Sequence, residues 1–123
     1  MLGYTTIGVS NIEKACEFYG ALLSELGAKQ LFGDDRIQFF GTSTNASMIA
    51  VCVPYDEKPA ESGNGTMLAI PAGGPADVDR VYAKAIELGA SDEGAPGARN
   101  PIFYGAYVRD ADGNKLCFYE LKM

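Results

Sequence analysis

Apolar residues recur along this chain at two spacings, and the switches between them lay out most of its elements. Residues 3–9 (GYTTIGV) are short, β-branched and apolar, which predicts a strand. Ser10-Asn11-Ile12-Glu13 follows with the Ser-x-x-Glu spacing of a capping box, so a helix is expected to open there. Ile12, Ala15, Cys16, Phe18, Tyr19, Leu22, Leu23 and Leu26 then fall at helical spacing and give the helix one apolar face. Gly27 is placed to end it in a left-handed conformation. Segments 28–32, 36–42 and 47–54 predict three strands, separated by turns of Gly, Asp, Thr, Ser and Asn. Residues 56–65 (DEKPAESGNG) read as a polar linker.

The second half repeats this order. Residues 66–70 predict a strand, and Gly73-Gly74-Pro75 a break with proline near a helix start. A helix is expected over 77–88, with Val78, Val81, Tyr82, Ala85, Ile86 and Leu88 on one side and Gly89 as its cap. Segment 91–101 is rich in Gly, Pro and Ala and reads as a loop. Strands are expected over 103–109 and 115–121, joined by the hairpin turn Asp110-Ala111-Asp112-Gly113-Asn114. The halves also align on each other. Tyr4 meets Met67, Ile7 meets Ile70, Tyr19 meets Tyr82, and Leu26-Gly27-Ala28 meets Leu88-Gly89-Ala90. The chain therefore reads as one domain over 1–123 with two tandem βαβββ modules, about 1–55 and about 66–123, flanking the linker.

Composition narrows what such a domain does. The chain has 123 residues, 47% apolar and 21% charged, ordinary for a globular protein. Its net charge is −6, which argues against nucleic acid as a partner and favours a cationic ligand electrostatically. No apolar run is long enough to span a membrane. There is no histidine, so imidazole is available neither to a metal nor to a nucleophile pair. Cys16, Cys52 and Cys117 are odd in number and lack CxxC spacing, against a disulfide framework or a zinc knuckle. With no signal-peptide pattern at the start, a reducing cytoplasmic location is expected. Asp110-x-Asp112-x-Asn114 opens like a calcium loop, but Lys115 stands where that loop needs glycine, and the hairpin reading is preferred.

The order of TTIGVSNIEKACEFYGALLSELGA, NGTMLAI, VDRVYAKAIELGAS and GAYVRDADGNKLCFYE, together with the duplication, resembles the vicinal oxygen chelate superfamily. That superfamily includes glyoxalase I, extradiol dioxygenases, fosfomycin-resistance enzymes and bleomycin-binding proteins. The resemblance implies an α+β fold in which two βαβββ modules form a curved mixed sheet around a central cavity, commonly as a homodimer. It also implies where metal ligands would stand. The usual His, His and Glu positions fall on Tyr4, Met67 and Cys117, and a further position falls near Ala50. A tyrosine, an alanine, a thioether and a thiol do not suit Mg, Mn, Ni or Fe. A soft metal on Cys117 and Cys52 would lack two further ligands. No metal and no cofactor are expected, and no catalytic residue is assigned.

What the resemblance leaves is the cavity. Alternation adds Thr6, Cys52, Ala69 and Tyr119 to the faces of Tyr4, Ala50, Met67 and Cys117, a mostly apolar wall suited to a small organic ligand. The same side chains would equally serve as filler of a small core. Arg99, with Tyr104 and Tyr107 on the next strand, is placed to clamp a carboxylate or phosphate, against the alternative of a solvated surface arginine. Arg36 and Gln38 are lesser candidates. The expected ligand-binding set is thus Tyr4, Thr6, Ala50, Cys52, Met67, Arg99, Tyr104 and Cys117. Three functions compete: a metal-free protein binding a drug or metabolite, a glyoxalase-type lyase or isomerase with an altered site, and an interaction module without catalysis. Leu2, Phe39, Phe40, Phe103 and Phe118 are candidates for either a dimer interface or the core.

Overall fold

A computed structural model describes residues 1–123. The elements run β1 (Tyr4–Gly8), α1 (Ile12–Ser24), β2 (Lys29–Gly33), β3 (Ile37–Gly41), β4 (Met48–Cys52), β5 (Leu68–Pro71), α2 (Pro75–Glu87), β6 (Ser91–Asn100), β7 (Phe103–Arg109) and β8 (Lys115–Leu121). They fall into two compact units, Met1–Ser62 and Gly63–Met123.

In the first unit the strand order is β1-β4-β3-β2, with β1 parallel to β4 and the other pairs antiparallel. The helix follows from the apolar spacing: Ala15, Tyr19, Leu22 and Leu23 are buried along one side of α1. They meet the sheet face that carries Ile7, Val51 and Phe40, all nearly inaccessible to solvent. The cap lies one residue later than the Ser-x-x-Glu pattern places it. Asn11 is the N-cap, and its side-chain oxygen accepts the Lys14 N–H at 3.0 Å, so Glu13 has no reciprocal role. Asn11→Ala is expected to lower stability by about 1 kcal/mol, and Asn11→Ser to keep most of it, as read from urea midpoints. Beyond α1, Gly27 takes a φ of 78°, as expected of a left-handed cap.

The second unit repeats the plan with the order β5-β8-β7-β6, β5 parallel to β8 and the rest antiparallel. Val78, Val81 and Ala85 of α2 are fully buried, as are Ala106, Val108, Leu116 and Phe118 of the sheet. Pro75 opens the helix, where its missing N–H costs nothing. The Gly74 N–H donates to Asp77 Oδ2 at 2.9 Å. That hydrogen bond, with the Arg80 guanidinium beside it, holds the Asp77 carboxyl below the usual carboxylate range. Among the apolar interface candidates, Phe39, Phe40 and Phe118 belong to the core, while Leu2 is exposed.

Two expectations are overturned. The first is a curved mixed sheet made by both modules around a central cavity. The backbone pairing instead forms two separate four-stranded sheets, open rather than curled and closed. In each unit the last strand returns beside the first, which places β1 and β2, or β5 and β6, at free edges. Pro71 in β5 has no N–H to extend the ladder, in keeping with an edge. The second is the loop over 91–101, which is the ten-residue strand β6. Its ladder with β7 shifts register three times, so the segment lacks the regular alternation by which a strand is read from sequence.

Candidate functional site

Each sheet has one face covered by its own helix, and the period of two along the strands assigns every side chain to that face or to the other. In the first unit the face away from α1 carries Tyr4 and Thr6 of β1, Ala50 and Cys52 of β4, and Phe39 of β3. The predicted residues Tyr4, Thr6, Ala50 and Cys52 therefore share one face, with Ala50 and Cys52 buried and Tyr4 and Thr6 exposed. An aromatic row crosses it. The Phe32 and Phe39 rings stack at 4.4 Å with planes 10° apart, and Tyr4 meets Phe39 edge-on at 4.9 Å. Tyr4 is 54% and Phe32 47% exposed, so the row keeps open surface at both ends. Arg36 and Gln38 are occupied structurally instead. Arg36 donates to the Val53 carbonyl and sits over the Tyr55 ring, and Gln38 bonds to Gln30 and to the Asp34 carbonyl.

In the second unit the same logic separates two residues that were grouped in the sequence. Tyr104 faces the helix, where its hydroxyl donates to Asp79 of α2 at 2.7 Å, a bond that raises its pKa. Cys117 lies on the other face, opposite Tyr107 in the β7–β8 ladder. Ala69 pairs beside Cys117, Tyr119 stacks on Phe103 at 5.4 Å, and Met67 precedes β5 with 40% of its surface exposed. Arg99 leans over the Tyr107 ring at 5.2 Å, and Lys115 approaches the same ring at 5.3 Å. Burial pushes the Cys117 thiol up, against the opposing pull of Tyr107, Arg99 and Lys115. Lys115 is the functional candidate missing from the sequence reading. Counting back evenly from the hairpin turn pairs Arg109 with Lys115 and Tyr107 with Cys117, which was the available signal.

The donor chemistry does not fit the metal that the superfamily resemblance implies. Tyr4, Ala50, Met67 and Cys117 offer no carboxylate and no imidazole, and no three His, Cys, Asp or Glu side chains group to hold an ion. A groove of about 620 Å³ between α1 and the β2–β3 hairpin is lined by Ile12, Cys16, Gln30, Gln38 and four carboxylates. One of these, Asp34, is engaged by the turn. It accepts the Arg36 and Ile37 N–H groups, which hold its carboxyl below the usual range.

Residues 1–118 match the family model of the glyoxalase/bleomycin resistance protein/dioxygenase superfamily. The structure is similar to a glyoxalase/bleomycin resistance protein from Albidiferax ferrireducens, at 33% identity, 97% of each chain covered and a TM-score of 0.88. A family enzyme from Burkholderia phytofirmans is similar at 19% identity, 97% of each chain and a TM-score of 0.79. The fosfomycin resistance protein FosX from Mesorhizobium loti is similar at 20% identity, covering 100% of this chain and 93% of its own, with a TM-score of 0.74. The last two likenesses are of fold alone. No curated protein matches. With the family model running through both units and a third of the residues shared with the Albidiferax protein, the chain belongs to the glyoxalase/bleomycin resistance protein/dioxygenase superfamily.

Proposed function

We propose that this protein is a metal-free binding member of its superfamily and holds a small organic molecule with a planar aromatic body. The observation that carries this reading is the row Tyr4, Phe39 and Phe32. Two half-exposed rings, Tyr4 and Phe32, flank the buried Phe39 and leave apolar surface in water, and a flat ligand would recover that cost. Phe39, the middle ring, is buried and pairs with the small Ala50, so the open aromatic surface is that of Tyr4 and Phe32 on either side of it. Thr6 supplies a hydroxyl beside them for orientation. A donor set without carboxylate or imidazole supports binding over ion-dependent turnover.

The test is a thermal-shift and calorimetric panel of aromatic antibiotics, cationic glycopeptides and thiol conjugates. A specific binder raises the melting temperature through linkage. Tyr4→Ala and Phe32→Ala are each expected to weaken that binder by roughly three- to tenfold, the worth of one aromatic contact. A panel without any shift, together with turnover of hemithioacetals, would reverse the reading in favour of a lyase or isomerase. Pairing of two copies is part of the proposal, and light scattering at micromolar concentration is expected to give twice the chain mass.

A further inference from the structure

The charge of this protein is unevenly spent. The chain as a whole carries −6, yet the helix-free face of the second sheet is cationic. Arg109 and Lys115 are ladder partners on that face, and Arg99 reaches it from β6. The carboxylate partner found there is Glu93, which pairs with Arg109. Arg99 and Lys115 have no carboxylate partner, and both stand against the Tyr107 ring, at 5.2 and 5.3 Å.

Arg99 is also held in place before any ligand arrives. Its Nη1 donates to the Gly97 carbonyl at 2.9 Å and its Nη2 to the Ala95 carbonyl at 2.8 Å. Gly94 and Gly97 make the space: a Cβ on either would lie 3.1 Å from a guanidinium nitrogen, and one on Gly94 would lie 2.9 Å from the Tyr107 ring. A guanidinium fixed by carbonyls keeps its charge unneutralised and retains further N–H groups to donate. Contact with the Tyr107 ring favours each cation without cancelling its charge.

We infer that this face binds a small oxyanion, a carboxylate or a phosphate, held jointly by Arg99 and Lys115 beside Tyr107. Arg99 contributes directional N–H donors and Lys115 a mobile point charge. This assignment stands on the second unit alone and does not depend on the aromatic row. It also reverses, for this face, the preference for cationic ligands suggested by the total charge.

The experiment is an amide NMR titration of the full chain with inorganic phosphate and, separately, with benzoate, at fixed ionic strength set by sodium chloride. Saturable shifts are expected at the amides of residues 94–99, 107 and 115–117 for at least one probe. Response to phosphate alone assigns the site to phosphoryl ligands, and response to benzoate alone to carboxylates. Arg99→Gln and Lys115→Gln are each expected to raise the dissociation constant about tenfold or more, as for loss of a charge-assisted contact. Lys29→Gln, on the first unit, is expected to change nothing. Lys115→Gln removes no backbone contact, so it carries the test if Arg99→Gln disturbs β6. Absence of saturable shifts with both probes overturns the inference, and so does unchanged affinity in Lys115→Gln.

Discussion

Phe118→Ala is expected to cost about 4 kcal/mol of folding stability, read from the urea midpoint with an unchanged slope. Phe118 is fully buried at the centre of the second sheet, between Ile70 of β5 and Ala106 of β7. Its face is the one covered by α2, whose Val78, Val81 and Ala85 are equally inaccessible. The neighbouring Ala106 is small, so the phenyl ring supplies much of the volume on that side of the core. Truncation therefore loses the transfer free energy of the ring and leaves a cavity as well. A domain of this size has roughly 5–15 kcal/mol in total, so the variant stands near the edge of folding. Phe118→Leu keeps most of the volume and is expected to cost about 1 kcal/mol. A loss below 1 kcal/mol for the alanine variant would mean that the contact between α2 and the sheet is loose around Phe118.

Asp110→Ala is expected to cost about 3 kcal/mol, although the residue sits in a turn. Its Oδ1 accepts the Asp112 and Asn114 N–H groups at 2.9 Å each, and its Oδ2 accepts from the Asn114 side-chain amide at 3.0 Å. Asp110 and Asn114 are only 7% and 8% exposed, so water does not readily replace the lost acceptor. Alanine would strand buried donors, and that desolvation penalty exceeds the net worth of the bonds themselves. The turn also sets the register that brings Tyr107 opposite Cys117, so the loss extends to the candidate anion site. Asp110→Asn retains the Oδ1 acceptor and is expected to cost about 1 kcal/mol. Equal midpoints for the alanine variant and the parent would show that the hairpin closes without its carboxylate.

These two residues also mark what was readable from sequence. Phe118 lies in the short apolar run Leu116–Tyr119 that follows a turn signal, and the helix positions recur at helical spacing, so both helices and the β7–β8 hairpin follow from pattern alone. Each strand's predicted face follows too: Tyr4, Thr6, Ala50 and Cys52 stand together, as do Ala69, Cys117 and Tyr119. β6 was illegible because its pairing is carried by backbone through Gly94, Gly97 and Ala98 opposite Tyr107, Gly105 and Tyr104, with bulges between. Tyr104 was grouped with Arg99 through nearness in sequence, whereas the parity of β7 turns it toward Asp79 and leaves Tyr107 beside the arginine. A single curved sheet around a cavity was implied by resemblance alone and is not what the strands form, because alternation along a strand says nothing about where its edges pair.

The irregularity of β6 has a colloidal consequence. It is the outermost strand of its sheet, where a straight, regular edge would offer a template for a second chain to dock and propagate a fibre. Three register shifts kink its outer rim, and Pro96 removes one donor from its backbone. The same segment that presents Arg99 thus makes a poor aggregation seed, so smoothing it with β-branched residues would be expected to trade solubility for regularity.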